Sequence, residues 1–264
     1  MVTSCHLIAA AQSSSLLMGA RSQSLGHASA CLEDEWSIFN NVAGLGRLKN
    51  SAACISYDVQ PGFSAFSKGA LAVSFHQKIG IGIGIYTFGD EVYQEQVASL
   101  GCGSSWGITA VGVKVNYIRY NLPSLGHTGV LTISMGGVTA ITPRITVGAH
   151  ITNINQPFLS RKDRERTPTT LTAGLLFKLT DKILLVTELE KDIQFSAIWK
   201  SGLEYTINKK FVARTGVNLH PSSGFFGMGF KLRRFFADYS FQFTPGWGSR
   251  VQATINWYFK NGIP

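Results

Sequence analysis

The chain ends in a segment of strict period-two alternation, "VQATINWYFK", which runs from Val251 to Lys260. Apolar residues stand at every second position up to Phe259, and Gln252, Thr254 and Asn256 between them are polar. This period matches a β-strand, whose successive side chains point to opposite faces. The same alternation recurs through most of the chain, so the sequence predicts an all-β protein whose strands each have one apolar and one polar face.

From about residue 50 onward, one candidate strand follows another, with no domain-scale linker and no amphipathic helix of four turns between them. Most candidates exceed the ~5–6 residues typical of soluble sheets and are long enough to cross a bilayer at a tilt. We therefore predict a single barrel domain over 49–264. The fourteen predicted strands are 50–58, 65–76, 79–88, 91–101, 107–120, 126–139, 143–155, 168–179, 182–191, 195–206, 211–219, 224–232, 235–243 and 249–259.

The connections between these strands alternate in character. One set is mostly tight and polar: 77–78, 102–106, 140–143, 180–182, 208–210 and 233–234. The other set is longer in several places and rich in proline: 59–64, 121–126, 155–167, 220–223 and 244–248. Short turns at one end and longer loops at the other are typical of outer-membrane barrels.

Isolated charges in mid-strand decide which face meets lipid. An Arg or Lys that faces lipid costs roughly 2–4 kcal/mol, whereas charges that face one another across a lumen can pair. We therefore predict a fourteen-stranded antiparallel transmembrane β-barrel, in which Glu204 and Arg214 pair on adjacent strands. The predicted lumen charges are Glu188, Glu190, Lys200, Glu204, Arg214, Lys231, Asp238 and Arg250. They form either a structural network or a polar lining for a ligand or docked peptide.

Composition and motifs exclude several other functions. Only 15% of residues are charged, against about 25% in average soluble domains. The net charge of +9 comes from scattered basic residues without a zinc-finger, RNP-like or phosphate-loop pattern, so no nucleic-acid partner is expected. No apolar run approaches the ~20 residues of a membrane helix. The cysteines have no metal-ligand spacing and no Ser/His/acid order stands out, so we expect no metal, cofactor or enzymatic activity.

The N-terminal residues 1–18 have two interpretations. The stretch "CHLIAAAQ" contains a short apolar run and ends in small residues before Gln12, which fits the remnant of a secretory signal peptide. No Lys or Arg precedes the run, however, and an ordinary disordered N-terminus would have the same appearance. The pairing of the four cysteines is left open.

The order of several motifs resembles that of FadL-like outer-membrane barrels, in particular the PorV/PorQ-type branch associated with type IX secretion. "GARSQSLGHASACLEDEWSIFNNVAGLGRL" at 19–48 is similar to the opening of that branch, although Val42 replaces its usual proline. Weaker matches are "FGDEVYQEQVASLG" at 88–101, "ELEKD" at 188–192, "GLEY" at 202–205, "RTGVN" at 214–218 and "ADYSF" at 237–241.

The resemblance implies a bacterial outer-membrane location and an N-terminal hatch over 19–48 inside the barrel; without it, this segment is a periplasmic tail. The residues expected in the hatch are Trp36, Phe39, Asn41, Ala43, Gly44 and Leu45. The row Gly80, Gly82 and Gly84 lies on one strand face and leaves room for something inside the barrel, such as the hatch.

Two functions of different classes follow from the resemblance. The first is a scaffold role in an outer-membrane secretion or assembly machine, with other outer-membrane or periplasmic proteins as partners. The second is FadL-like uptake of small hydrophobic molecules. The loops are short and polar, which favours the first. The charged loop at 155–167 is either a solvated surface or a contact with lipopolysaccharide phosphates or an acidic partner. Its candidate contact residues are Arg161, Lys162, Arg164 and Arg166.

Overall fold

The computed structural model describes residues 16–122, 126–160, 165–192 and 195–259. Most of the predicted signal remnant, residues 1–15, lies outside the described residues. In the described ranges, an N-terminal segment (residues 16–50) precedes sixteen strands. No helix in these ranges has both the length and the apolarity to span a bilayer.

Helices are short and few in the described part of the chain. The N-terminal segment contains the α-helix α1 (Ala20–Ser24) and a 3₁₀-helix (Val42–Arg47), and a second 3₁₀-helix (Ser64–Phe66) follows β1. The strands are β1 (Ala52–Val59), β2 (Lys68–Phe75), β3 (Gly80–Gly89), β4 (Gln94–Trp106), β5 (Thr109–Leu122), β6 (Gly126–Thr142), β7 (Ile145–Thr152), β8 (Phe158–Ser160), β9 (Glu165–Arg166), β10 (Thr170–Lys178), β11 (Ile183–Asp192), β12 (Ile198–Thr206), β13 (Phe211–Leu219), β14 (Ser223–Leu232), β15 (Phe235–Thr244) and β16 (Gly248–Tyr258).

Fourteen of these strands, all but β8 and β9, form one closed antiparallel barrel. Successive barrel strands are neighbours, and the barrel closes where β1 pairs with β16, from Ala52 opposite Tyr258 to Val59 opposite Val251. The predicted all-β, fourteen-stranded antiparallel barrel is therefore confirmed. Closure pairs every strand on both sides, so the barrel has no open sheet edge.

The two ends of the barrel differ in the length of their connections. At one end, which we call the short-turn end, the connections contain two to four residues. At the other, the long-loop end, they contain three to seventeen residues, and the longest spans 153–169. The predicted difference in loop length between the two ends therefore depends on a few long loops. Several connections at the long-loop end are as short as those at the short-turn end.

The predicted turn at 102–106 is wrong. Strand β4 continues to Trp106, and the turn consists of 107–108. The sequence "CGSSW" is rich in small residues and had been counted among the tight, polar connections. In the barrel, small residues at this point let another part of the backbone come close. A Cβ on Gly103 would lie only 2.7 Å from the backbone nitrogen of Gly46.

The loop predicted at 155–167 contains the strand pair β8 and β9, which form a separate two-stranded sheet. Arg166 lies in β9, and its guanidinium carbon stands 4.5 Å from the centre of the Phe158 ring. Of the other candidate contact residues, Arg161, Lys162 and Arg164 lie outside the described residues. Any lipopolysaccharide contact of this loop stays a prediction.

Polar side chains, rather than apolar ones, occupy the buried face of many strands. In β16, Gln252 and Asn256 are 1% and 2% exposed, whereas Ile255 and Trp257 are 50% and 45% exposed. The same inversion holds in β14, where Met228 is exposed by 65%. The outer surface of the barrel is consequently rich in large apolar side chains, an arrangement opposite to that of a soluble barrel.

The N-terminal segment supplies much of the apolar core. Trp36, Ile38, Phe39, Val42 and Leu45 are almost fully buried and pack in one cluster with side chains of β1 to β6, β13, β15 and β16. This cluster unites strands from opposite sides of the barrel, and the segment is what connects them. Burial of such side chains contributes about 1.5–3 kcal/mol each.

The glycine row of β3 contacts residues 38–46 of the N-terminal segment, as predicted. A Cβ on Gly80 would lie 1.8 Å from the carbonyl oxygen of Leu45, and one on Gly84 would lie 2.6 Å from the ring of Phe39. Glycine is required here because the segment backbone lies directly against the strand.

Gly80→Ala should therefore destabilise the barrel by about 1–3 kcal/mol, because the new methyl group has to displace a backbone carbonyl. Gly224→Ala in β14 is the matched control, since a Cβ there would meet nothing within 4 Å. The free energy of unfolding in urea, followed by tryptophan fluorescence in micelles, measures both. Equal stability of the two variants would contradict the close contact.

Candidate functional site

The candidate site is the interface between the N-terminal segment and the buried face of the barrel strands. Asn41 connects three parts of this interface. Its side-chain oxygen accepts a hydrogen bond from the amide of Ala43 at 3.1 Å and so caps the 3₁₀-helix. Its amide nitrogen donates to the carbonyl oxygens of Ala30 at 2.6 Å and of Gly137 in β6 at 3.2 Å. One side chain thus fixes both the fold of the segment and its position on the barrel.

The structure places the six residues expected in a hatch at this interface. All six are buried: Trp36, Phe39, Asn41, Ala43, Gly44 and Leu45. The indole nitrogen of Trp36 donates to the side-chain oxygen of Asn256 in β16 at 2.9 Å. A Cβ on Gly44 would lie 2.3 Å from the hydroxyl oxygen of Ser37, so this position has no space for a side chain.

The first of three charged groups, which we call the arginine–acid cluster, joins α1 to strands β12, β13 and β15. Arg21 donates two hydrogen bonds of 2.9 Å to the carboxylate of Glu204. Arg214 donates to the same carboxylate at 2.6 Å and to Asp238 at 2.5 Å, and Arg21 also reaches Asp34 at 3.4 Å. Two arginines and three carboxyl groups are therefore linked by charge-assisted hydrogen bonds and ion pairs at a mostly buried position.

The second charged group surrounds Lys200. Its ammonium group stands 3.1 Å from the carboxylate of Glu188 and 2.6 Å from that of Glu190. The other carboxylate oxygen of Glu188 accepts hydrogen bonds of 2.7 Å from the amides of Ser29 and Ala30. The N-terminal segment thus satisfies a buried carboxylate of the barrel with its own backbone.

The remaining predicted lumen charges, Arg250 and Lys231, take part in none of the ion pairs of these two groups in the described part of the chain. Arg250 pairs with Asp58 at 3.4 Å and donates to the carbonyl oxygen of Phe66 at 3.2 Å, which makes a third group at the long-loop end. Lys231 lies over the ring of Phe236, at 5.4 Å from its centre. The eight predicted charges therefore form separate groups rather than one network.

Three important residues were absent from the sequence prediction. Arg21 and Asp34 belong to the N-terminal segment, for which the sequence analysis named six hatch residues but no charged one. Lys114 of β5 donates to the carbonyl oxygens of Ile38 and Phe39 at 2.8 and 3.2 Å. The surplus of acidic residues on the polar faces of β11 and β12 was a signal that a cation from elsewhere completes the cluster.

A polar cavity of about 310 Å³ lies between part of the N-terminal segment and the strands at the short-turn end. The arginine–acid cluster, Glu33, Glu35 and Lys231 contribute charged groups to its lining, and Leu32 and Phe236 contribute apolar surface. This lining suits water or a polar group rather than an apolar solute.

A second hollow, of about 630 Å³, lies on the exposed face of β4 to β7. Its lining is apolar and includes Trp106, Val113 and Met135. The wall is thin here, because it contains glycines: a Cβ on Gly112 would lie 2.6 Å from the carbonyl oxygen of Val42. At these glycines, a single strand layer without side chains on its inner side separates the hollow from the N-terminal segment.

Glu35 of the N-terminal segment is buried beside an acidic neighbour. Burial and the charge of Asp34 raise the pKa of the Glu35 carboxyl group to about 7. The hydroxyl group of Tyr258 donates a hydrogen bond to this carboxyl group, and Arg21 lies near enough to counter part of the shift.

The described part of the chain contains no cluster of potential metal ligands. No three His, Cys, Asp or Glu side chains in these ranges stand together as ligands. Cys31 and Cys54 are buried free thiols, and Cys102 is an exposed free thiol.

No known family model and no curated protein matches the chain in sequence. Its fold is nevertheless similar to solved structures. The P. putida toluene transporter TodX matches with a TM-score of 0.67 and 12% identity, over 94% of this chain and 99% of TodX. The CymD monoaromatic hydrocarbon channel matches with a TM-score of 0.63 and 13% identity, over 92% of this chain and 98% of CymD.

The Acinetobacter baumannii outer membrane protein Omp33 is more distant, with a TM-score of 0.52 and 5% identity over 80% of this chain and 97% of Omp33. At such low identities these likenesses concern the fold. They agree with the wider FadL-like outer-membrane architecture, and they do not support the narrower PorV/PorQ-type branch.

Glu204→Gln and Arg214→Gln should each lower the free energy of unfolding by about 3–5 kcal/mol, because each leaves buried charges without a partner. The double variant should lose about 0.5–3 kcal/mol less than the sum of the two. Urea unfolding of the four proteins gives the coupling energy. As a control, Arg214→Gln combined with Glu190→Gln, which belongs to the Lys200 group, should be additive. Additive losses for Glu204 and Arg214 would contradict the cluster.

Stability should fall as the pH rises from about 4.5 to about 7, the ordinary and folded pKa values of Glu35. The folded state binds the Glu35 proton more tightly than the unfolded state. The resulting contribution to the free energy of unfolding is therefore fully present below this pH window and is lost above it. Glu35→Gln should remove that part of the pH dependence and gain about 1–3 kcal/mol over the native protein at pH 8. Glu91→Gln, an exposed position, is the control. Unchanged pH dependence in Glu35→Gln would refute the shift.

Proposed function

We propose that the chain is a bacterial outer-membrane β-barrel through which small hydrophobic molecules pass, with residues 19–48 as a movable hatch. The observation that carries this proposal is the thin glycine-rich wall of β4 to β7. It has an apolar hollow on its exposed face and the N-terminal segment against its buried face. A hydrophobic molecule that leaves the interior at this wall enters lipid directly and avoids bulk water.

The distribution of exposed side chains supports the membrane location. Large apolar residues cover the outer faces of the strands, and exposed aromatic residues lie near both ends. Trp257 and Phe235 stand at the short-turn end, and Trp199 and Trp247 stand at the long-loop end. Two aromatic girdles on either side of an apolar band are typical of outer-membrane barrels.

Contacts on several sides of the barrel support the assignment of the segment as a hatch. Leu45 and Phe39 lie against β3, and Ala30 lies against Gly148 of β7. On the other side, Arg21 pairs with Glu204 of β12. A segment that touches strands all round a closed barrel occupies its lumen, and solute passage then requires the segment to move.

The similar structures favour transport over the scaffold role. TodX and CymD, a toluene transporter and a monoaromatic hydrocarbon channel, cover nearly all of this chain at almost their full length. A role in a secretion or assembly machine stays a prediction without such support.

A reversible disulfide tests whether the hatch moves. A Cβ on Gly82 would lie 3.1 Å from the Cβ of Ile38, close to the ~3.5–4.5 Å of natural disulfides. In a background with the native cysteines replaced by serine, Ile38→Cys together with Gly82→Cys should form a bond that ties the hatch to β3. Each single variant is a control.

Whole Gram-negative cells that carry the protein should take up a labelled monoaromatic hydrocarbon several-fold faster than cells without it. A hydrophilic solute of similar size should show no such gain. Oxidation of the double variant should abolish most of this gain, and reduction should restore it. Uptake equal to that of cells without the protein would overturn the transport function. Uptake that survives the disulfide would overturn the movable hatch.

A further inference from the structure

The short-turn end carries a basic arc along one side of its rim. The strands β6, β7 and β10 to β15 follow one another around the barrel, so their four short turns are neighbours. Six basic residues lie in these turns: Arg144, Lys182, Lys209, Lys210, Arg233 and Arg234. Asp181 is the one acidic residue in the same four turns.

The basic arc lies at the surface of the protein. All six of its side chains are exposed. Lys182, Lys209 and Lys210 take part in none of the ion pairs of the described chain, unlike Lys200 inside the barrel. Side-chain caps hold the turn backbones in place: Asn208, for example, accepts a hydrogen bond from the amide of Lys210 at 2.8 Å. The charges are thus presented on a fixed frame.

Exposed aromatic side chains begin immediately beside the arc. Phe211 follows Lys210, and its ring stands 4.9 Å from that of Phe230, measured between centres. Phe235 follows Arg234 and stacks on Trp257. Aromatic residues of this kind occupy the lipid headgroup level. Because the turns contain only two to four residues, their basic side chains cannot extend far from that level.

We propose that the basic arc binds the phosphates of anionic phospholipid headgroups in the leaflet at the short-turn end. The inference rests on the proposed membrane location. An acidic protein is the less suitable partner, because the arc adjoins an apolar, aromatic surface and has no projecting loop to extend the contact. The long-loop end carries charges of both signs, such as Asp90, Glu91, Arg119 and Lys191, and should not have the same preference.

Fluorescence quenching by brominated lipids tests the proposal at each end separately. One reporter retains Trp257 at the short-turn end, with Trp106, Trp199 and Trp247 changed to Phe. The other retains Trp199 at the long-loop end, with the other three changed. Trp36 is buried in the core and stays in both. Each reporter is placed in vesicles that mix phosphatidylcholine and phosphatidylglycerol, with one or the other lipid brominated.

At low salt, phosphatidylglycerol should associate near Trp257 about fivefold more strongly than phosphatidylcholine. This ratio is expected when roughly one Lys or Arg side chain attracts each anionic headgroup. The preference should fall towards one in the Lys209→Gln, Lys210→Gln, Arg233→Gln variant and at 1 M salt. The matched control changes Arg119, Arg166 and Lys191, at the long-loop end, to Gln and should retain the preference. Trp199 should report no preference in any of these proteins.

Equal quenching of Trp257 by the two lipids would overturn the proposal and leave an acidic protein as the partner of the arc. A preference that survives the triple change in the arc would overturn it as well. If neither lipid quenches Trp257, the membrane location itself is refuted, and this result separates the failure of the proposed function from that of the lipid site. Heat-dependent mobility on gels verifies that each variant is folded.

Discussion

The bidentate pair between Arg21 and Glu204 is the interaction on which the arrangement of the molecule most depends. It joins a residue near the start of the described chain to a strand 183 positions later. The barrel has charged residues on its buried face, and such charges are tolerable only when they are paired and hydrogen-bonded. The N-terminal segment supplies the missing partners, so an empty barrel of this sequence would contain charges without neutralisation.

The strands of the fold could be predicted from the sequence because alternation is a local property. In the middle of β16, Gln252, Thr254 and Asn256 mark the buried face and Ala253, Ile255 and Trp257 mark the exposed one, and pairing with neighbours does not change that. Prediction failed at 102–106, where small residues serve close packing against Gly46 rather than a turn. It also failed at β8 and β9, since a pair this short leaves almost no periodic signal.

The candidate site was predictable only in part. The charges of the strands could be found because they interrupt an alternating pattern, and Glu204 and Arg214 are direct partners in the register of β12 and β13. Their division into separate groups depends on where each strand lies around the barrel, and the alternation within a strand carries no information on that position. The contributions of Arg21 and Lys114 were out of reach for the same reason, because their partners are distant in sequence.

The N-terminal segment is attached to the two sides of the barrel by different forces. Towards β11 to β15 it is held by buried ion pairs and by the carboxylate of Glu188. Towards β3 to β7 its buried apolar side chains, such as Ile38, Phe39 and Leu45, pack against glycines, and hydrogen bonds from Lys114 and Asn41 are the main polar attachments. Separating paired charges in a dry interior leaves desolvated ions without partners and costs several kcal/mol, whereas separating the apolar contacts leaves no buried charge unpaired. The apolar hollow lies on the glycine side, so in the proposed transport function this is the side on which a hydrophobic molecule that passes the N-terminal segment would find an apolar surface beyond the wall.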